Sequence, residues 1–325
     1  MTHWKLLAGA GSLALIVLAA TAAQSPAPAP AAPAAGNRGA DPVPLWAFPG
    51  PFLKSVPDST QKWSDVQMFD RTTAVEWFPD GHPPMPPAVK GQLQLYACGY
   101  CHLPEGSGRP ENAALAGMPY DYLKQQVDEM QSGKRVVPDS RFGPGVNMML
   151  TIKHPALTKS AAYEAVKYYS GLKYKKYLKI VETTEIPRVT TNSFVYVFDK
   201  TGAREPLGER IVEGPDDFER FEMRDPRTTY TSYVPVGSIA RGAALAKGDG
   251  AARLACESCH GPGLKGGPLG PPIAGRPLTP NFRQLYAFKT GTRNGEGAIL
   301  MKPIVAGLSD KDMIDLVSYV GSLEP

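Results

Sequence analysis

Apolar positions recur at helical spacing in two stretches far apart in the chain. Thr158 to Leu172 and Ser309 to Leu323 each open on a residue type that caps helix N-termini, and apolar residues follow three or four apart. In the second stretch these are Met313, Ile314, Leu316, Val317 and Val320. Tyr122–Gln131 and Asn281–Lys289 read as shorter helices, each closed by a glycine, Gly133 or Gly291, where a helix ends in a left-handed residue. Between the two sets the period changes. Phe194-Val195-Tyr196-Val197-Phe198, the turn Asp199-Lys200-Thr201-Gly202 and the run Leu207 to Val212 predict a β-hairpin. The pattern is mainly α, with a long irregular and hairpin-bearing connector.

The first 85 residues follow another logic. After Lys5, an apolar run from Leu6 to Ala20 ends in the small residues Thr21-Ala22-Ala23 before Gln24, the layout of a secretory signal peptide over residues 1–23. The competing reading is an uncleaved membrane anchor, since the run reaches about 18 residues when extended to Ala23. Export makes the periplasm the expected location. Residues 24–40 are a low-complexity Ala/Pro tether. Residues 41–85 crowd Trp46, Phe48, Phe52, Trp63, Phe69, Trp77 and Phe78 among prolines, and so many aromatics need a surface to bury against. This segment reads as an arm wrapped over a neighbouring domain, with His82 a loop histidine within it.

The remainder is organised by an internal repeat. A shift of 158 positions pairs Cys98 with Cys256, Cys101 with Cys259, His102 with His260, Pro104 with Pro262, Gly117 with Gly275, Gln126 with Gln284, Gly133 with Gly291 and Arg135 with Arg293. A shift of 151 pairs Tyr168 with Tyr319 and Leu172 with Leu323. Two copies of one small domain follow, residues 86–180 and 237–325, with a connector at 181–236. Asp199 to Asp225 holds nine acidic and five basic residues, whereas the first copy ends in Lys167, Lys173, Lys175, Lys176 and Lys179. The connector is expected to pack near that basic end, or the two faces are solvated independently.

Composition narrows the possibilities. A formal charge of +4 on 325 residues is too small to suggest nucleic-acid binding. The four cysteines are too few for a disulfide scaffold of this length, and all fall in the two pairs. Each pair reads C-x-x-C-H: Cys98-Gly99-Tyr100-Cys101-His102 and Cys256-Glu257-Ser258-Cys259-His260. Two cysteines on one tight turn reach both vinyl groups of a porphyrin, and the following histidine lies against the iron; this is the attachment signature of haem c. A thioredoxin-like redox pair does not require the histidines. A four-cysteine zinc site usually has pairs much closer together. Two structural disulfides leave both histidines unexplained.

The sixth iron ligand separates carriers from catalysts. In the second copy Met301 is the candidate, while Met313 lies inside the final helix and reads as core. In the first copy Met149-Leu150-Thr151-Ile152 matches Met301-Lys302-Pro303-Ile304, which favours Met149 over Met148; His154 is a rival that would make a bis-histidine haem. Met118 lies too near the proximal motif. Arg135 and Arg293 are candidate partners for haem propionates, since a guanidinium suits a carboxylate, with a surface salt bridge as the alternative. Tyr168 and Tyr319 read as inward packing residues.

These motifs, with Leu115-Ala116-Gly117 and Ile273-Ala274-Gly275, resemble class I cytochromes c, in particular tandem di-haem cytochromes of bacterial respiratory chains. The resemblance covers about 180 residues. It implies two all-α domains, each enclosing a covalently bound haem c with His–Met ligation (His102 with Met149, His260 with Met301). It implies a periplasmic electron carrier rather than an enzyme, with donor and acceptor redox proteins as partners, and membrane contact only if the N-terminal segment is uncleaved. Di-haem peroxidases and thiosulfate-oxidising di-haem enzymes are the enzymatic alternatives. A haem subunit docked on a dehydrogenase or oxidase is another. The first enzyme needs an open iron, and the second uses a cysteine ligand, whereas all four cysteines here are consumed by attachment.

Overall fold

The computed structural model describes residues 52–93, 95–136, 152, 154–192, 195–249 and 254–325. All belong to one unit, 51–325. The signal-peptide and tether readings, Met148 and Met149 lie outside the described residues.

The arm opens with a short antiparallel pair, β1 (Leu53–Lys54) and β2 (Trp63–Ser64), and runs into α1 (Asp65–Phe69). Ser64 caps α1 reciprocally: its hydroxyl accepts from Gln67 N–H, and the Gln67 side chain accepts from Ser64 N–H. Of the arm's aromatics, Trp77 is buried and Trp63 and Phe78 are half-buried, whereas Phe52 and Phe69 are exposed and Trp46 and Phe48 lie outside the described residues. Val56, Met68, Val75 and Trp77 form a small core with Met223 of the connector. Trp77 donates its indole N–H to the Met223 carbonyl at 2.7 Å, and Arg224 donates to the Met68 carbonyl at 3.0 Å.

The first copy comprises α2 (Pro87–Lys90), α3 (Cys98–His102), α4 (Tyr120–Gln131) and α5 (Lys159–Ser170). Thr158 caps α5 by accepting from Ala161 N–H. Val89, Leu123, Val127, Leu157, Val166 and Tyr169 form its core.

The connector holds β3 (Leu178–Glu182), β4 (Glu185–Pro187), β5 (Val189–Asn192), β6 (Val195–Phe198), β7 (Arg204–Pro206), β8 (Val212–Pro215), α6 (Phe218–Glu222) and β9 (Tyr230–Val234). β9 is central to a three-stranded sheet, parallel to β3 and antiparallel to β8. The hairpin differs from the sequence expectation in its pairing. β6 pairs with β5, and β7 with β4. The backbone of Arg188 bonds both Asp199 and Ala203, so residues 185–192 receive both return strands, and Asp199–Gly202 loops outward between them. Leu207 is not in a strand; it is buried with Ile186 and Val212.

The connector packs beside the basic end of the first copy, where Tyr177 and Leu178 share an apolar cluster with Phe218, Phe221 and Tyr230, but charge does not hold it there. The connector acids find nearby arginines: Asp225 with Arg220 and Arg227, Glu205 with Arg210, Asp199 with Arg188. Lys176 instead donates to the Ser322 and Leu323 carbonyls and to Glu324 at the end of the second copy. Short-range pairing costs less chain entropy than a meeting of distant charged segments.

The second copy comprises α7 (Ser238–Ala246), α8 (Glu257–His260), α9 (Leu278–Lys289), α10 (Ala298–Ala306) and α11 (Asp310–Ser322). α7 crosses α11 at Gly242, where any side chain would collide with the Asp315 backbone. Met313 is fully buried, as a core residue should be. Leu278 and Val317 also pack against the connector's Leu178, Tyr230 and Val234, which seats the sheet on this copy. Among the described residues, no helix is long and apolar enough to cross a membrane.

Candidate haem sites and the junction between them

Each Cys-x-x-Cys-His turn is held by the same backbone scaffold, so the repeat extends from residue types to hydrogen bonds. In the first copy Gly106 N–H donates to Leu103, Gly108 N–H to His102, and Leu115 and Ala116 N–H to Gly106. In the second, at a shift of 158, Leu264 donates to Gly261, Gly266 to His260, and Ile273 and Ala274 to Leu264. The loop needs left-handed residues at fixed places: Leu103 matches Gly261, and Gly106 matches Leu264, all at φ between 60° and 74°. A leucine accepts this costly conformation in one copy where glycine stands in the other. The geometry is therefore imposed by the loop, not by local preference.

The scaffold orients both histidines alike. His102 Nδ1 lies 2.8 Å from the Ala113 carbonyl, and His260 Nδ1 lies 2.8 Å from the equivalent Pro271 carbonyl. A carbonyl beside Nδ1 places the proton there and leaves Nε2 as the free lone pair, the arrangement that metal-ligating imidazoles use. Burial pushes both imidazoles down, which keeps them neutral. Burial likewise pushes the Cys98 thiol up to about 12, and raises Cys101. Half-buried thiols one turn apart beside a fixed imidazole suit thioether attachment better than redox exchange. The donor set thus fits a haem in each copy.

Met301 lies in α10 and is half-buried against the cluster of Ala246, Phe288, Val305 and Leu316, which also touches Cys256. In the first copy Ile152, three residues after Met149, packs against the same cluster as Cys98. His154 is exposed, and its Nδ1 accepts from Ala156 N–H.

The two sites differ in their cover. Arg224 of the connector stacks on Tyr100 within the first motif at 3.6 Å, and Arg109 stacks on Phe221 at 3.6 Å. Ala74 of the arm packs against Ala97 and Tyr100. Gly99, Tyr100 and His102 are buried, whereas Glu257 and Ser258 of the second motif are exposed. Leu254, Leu269, Ile299 and Leu300 are also exposed around the second motif and Met301.

Arg135 and Arg293 meet at the junction of the copies. They form an antiparallel bridge, flanked by Val136 N–H to Thr292 O at 2.9 Å and Asn294 N–H to Lys134 O at 2.7 Å. Arg135 donates to Gln126 and Gln284 at 2.8 Å; Arg293 donates to Gln126 at 2.8 Å, Gln284 at 3.1 Å and the Tyr122 hydroxyl at 3.0 Å. Burial, reinforced by the Arg293 charge, pulls the Arg135 guanidinium down to about 9. Their acceptors among the described residues are neutral, so two cations are concentrated where a carboxylate pair would be welcome. Arg276 adds a second clasp, donating to the Ala114 and Ala116 carbonyls at 3.0 Å. Tyr174 donates to the Gly275 carbonyl at 2.9 Å. The repeat made these arginines visible in sequence but gave no sign that they face one another.

Sequence comparison with known proteins agrees with this reading. The family described as cytochrome C oxidase, cbb3-type, subunit III matches residues 243–320. Cytochrome c-554(548) of Halomonas halodenitrificans is 37% identical over 70 residues, 21% of this chain and 84% of that protein. Cytochrome c4 of Azotobacter vinelandii is 26% identical over 246 residues, 73% of this chain and 89% of that protein. Among solved structures, a thiosulfate dehydrogenase from Marichromatium purpuratum has a TM-score of 0.48 at 24% identity, covering 73% of this chain and 39% of the other. Reduced cytochrome c4 from Pseudomonas stutzeri has a TM-score of 0.43 at 22% identity, covering 70% and 93%. The chain belongs to the c-type cytochromes, as a di-haem electron carrier of class I with two covalently bound haems c.

Proposed function

We propose that this protein carries electrons between periplasmic redox proteins, entering or leaving through the second copy, with the first copy reached across the junction. Cys98 and Cys101 attach one haem and Cys256 and Cys259 the other. His102 with Met149 would hold one iron, and His260 with Met301 the other. When bound, each haem supplies a one-electron ferric/ferrous couple. The residues do the rest. The Ala113 and Pro271 carbonyls hold the imidazoles at one orientation, which limits reorganisation between oxidation states. Arg135 and Arg293, paired at the junction of the copies, would offer guanidinium donors to haem propionates. A signal peptide over residues 1–23 exports the chain.

The observation that carries this reading is the pairing of a repeated histidine scaffold with a shared cationic junction. Arm and connector cover the first motif, while Glu257 and Ser258 on the equivalent turn of the second are exposed, which leaves that turn accessible to a partner protein. Rapid photochemical injection of one electron into the fully oxidised protein tests it. Fast, concentration-independent redistribution between two haem spectra is expected. Redistribution that scales with protein concentration would refute transfer through the junction.

A further inference from the structure

The arm contributes chemistry that neither haem site uses. Glu76 and His82 of the arm converge on Glu105, three residues after His102, and one ligand atom from each lies within 4.8 Å of the others. We propose that Glu76, His82 and Glu105 form a binding site for a divalent cation of the zinc class, which pins the arm to the loop behind the first haem ligand.

The side chains are prepared for this. The His82 side chain is only 3% exposed, and its Nε2 is hydrogen-bonded to a Glu76 carboxylate oxygen, a pairing that the cation would replace. Its Nδ1 is backed by the Pro83 carbonyl at 2.8 Å and the Tyr168 hydroxyl at 2.9 Å. Tyr168 donates in turn to the Pro104 carbonyl at 2.8 Å. An imidazole anchored through one nitrogen and presented through the other is the support that metal-bound histidines receive. Glu105 Oε2 is buried and has no hydrogen-bond partner, an expensive condition for a carboxylate unless something else satisfies it. Among the described residues, neither Glu76 nor Glu105 is paired with a lysine or arginine.

The donor set selects the cation. One imidazole and two carboxylates suit zinc and neighbouring transition metals, whereas calcium takes roughly six to eight oxygens. Zinc bonds of about 2.0–2.2 Å require ligand atoms on the order of 3–4 Å apart, within reach by side-chain rotation. The second copy has no counterpart among the described residues, because Gly263 occupies the position of Glu105. The site therefore belongs to the place where arm and first haem loop meet.

The test uses the full two-haem protein, stripped with chelator and titrated with zinc alone by calorimetry. One zinc per chain is expected, with a rise in the thermal unfolding midpoint. Glu105→Gln and His82→Gln should each weaken binding by at least tenfold and abolish the thermal rise, with both haem spectra unchanged. Tyr168→Phe, which removes one of the two oxygens behind Nδ1 and leaves the Pro83 carbonyl, should weaken binding by less than either ligand variant. Absence of stoichiometric zinc in the wild type, or wild-type binding by either ligand variant, would overturn the proposal. If one ligand variant does not fold, zinc binding by the other decides the matter.

Discussion

Arg135 and Arg293, 158 positions apart, lie opposite one another across the junction, and each guanidinium donates to the glutamine of the other copy as well as to its own. The arrangement has approximate two-fold symmetry, because the flanking bonds Val136 to Thr292 and Asn294 to Lys134 exchange under the same shift. Each glutamine oxygen keeps one donor after a single arginine is lost and keeps neither after both are lost. A single loss also relieves the repulsion between the two cations, and the second loss brings no further relief. Both effects make Arg135→Met/Arg293→Met cost more than the sum of the single variants, by about 0.5–3 kcal/mol. Denaturant unfolding of the four proteins of this cycle measures the coupling; additive costs would show that the two side chains act independently.

The arm is anchored through Asp225. Burial pushes this carboxyl up, but hydrogen bonds from Arg227 and Arg220 outweigh burial and hold it below the usual carboxylate range. Arg227 also reaches the arm, donating to Asp58 at 3.1 Å and to the Pro57 carbonyl at 2.7 Å. Asp225→Ala is expected to lose up to about 3 kcal/mol at neutral pH, less than for a fully buried pair because the arginines are partly exposed. Because the folded carboxyl has the lower pKa, that contribution is full above the ordinary aspartate range and is lost as pH falls below it through the lower folded value. Limited proteolysis should cut the segment 52–85 faster in the variant than in the wild type.

Glu213 imposes the opposite pH dependence. It is buried in the sheet, and burial pushes its carboxyl up even though it accepts from Ser232 Oγ at 2.6 Å and Leu278 N–H at 3.1 Å. A raised folded pKa favours the protonated native state, so its contribution is full below the ordinary glutamate range and is lost as pH rises through the folded value. Glu213→Gln should flatten the decline of stability above about pH 4.5, the ordinary glutamate range. Thermal unfolding across a pH series reads this; an unchanged slope would mean that Glu213 ionises without cost.

What could be read from the sequence follows from how each feature is encoded. Covalent attachment demands particular residues at fixed spacing, so both Cys-x-x-Cys-His turns were visible in the chain, whereas the left-handed positions of their scaffold were not, because Leu103 stands opposite Gly261 and Leu264 opposite Gly106. Helix starts were visible where a side chain caps the backbone, as at Thr158 and Ser309. Contacts between distant segments left no local trace. Trp77 with Met223 and Arg224 with Met68 depend on shape and on single backbone carbonyls, which nothing in the local pattern marks. His82 reads as a loop histidine because Tyr168 and Glu105, which converge on it with its local partners Glu76 and Pro83, come from other parts of the chain. The hairpin partner differs from the expected one because the turn at Asp199–Gly202 is a loop within the return strand, and a turn signal does not say which strand lies beside it.

The two attachment turns should act independently. Cys256→Ala with Cys259→Ala is expected to reduce the covalent haem content from two to one per chain by pyridine haemochrome assay. The first motif, covered by arm and connector, should retain its haem. Complete loss of both haems would mean that the second copy is required for the first to mature.

The central claim, two haems closed by His–Met ligation in an electron carrier, is tested most directly by the ferric absorption spectrum with and without hydrogen peroxide. Methionine ligation at both irons predicts low-spin spectra and a sulfur-to-iron charge-transfer band at the red end of the visible range, unchanged by peroxide and reduced by about half in Met301→His. A high-spin ferric iron that changes its spectrum on adding peroxide, or a wild-type spectrum without the sulfur band, would contradict it.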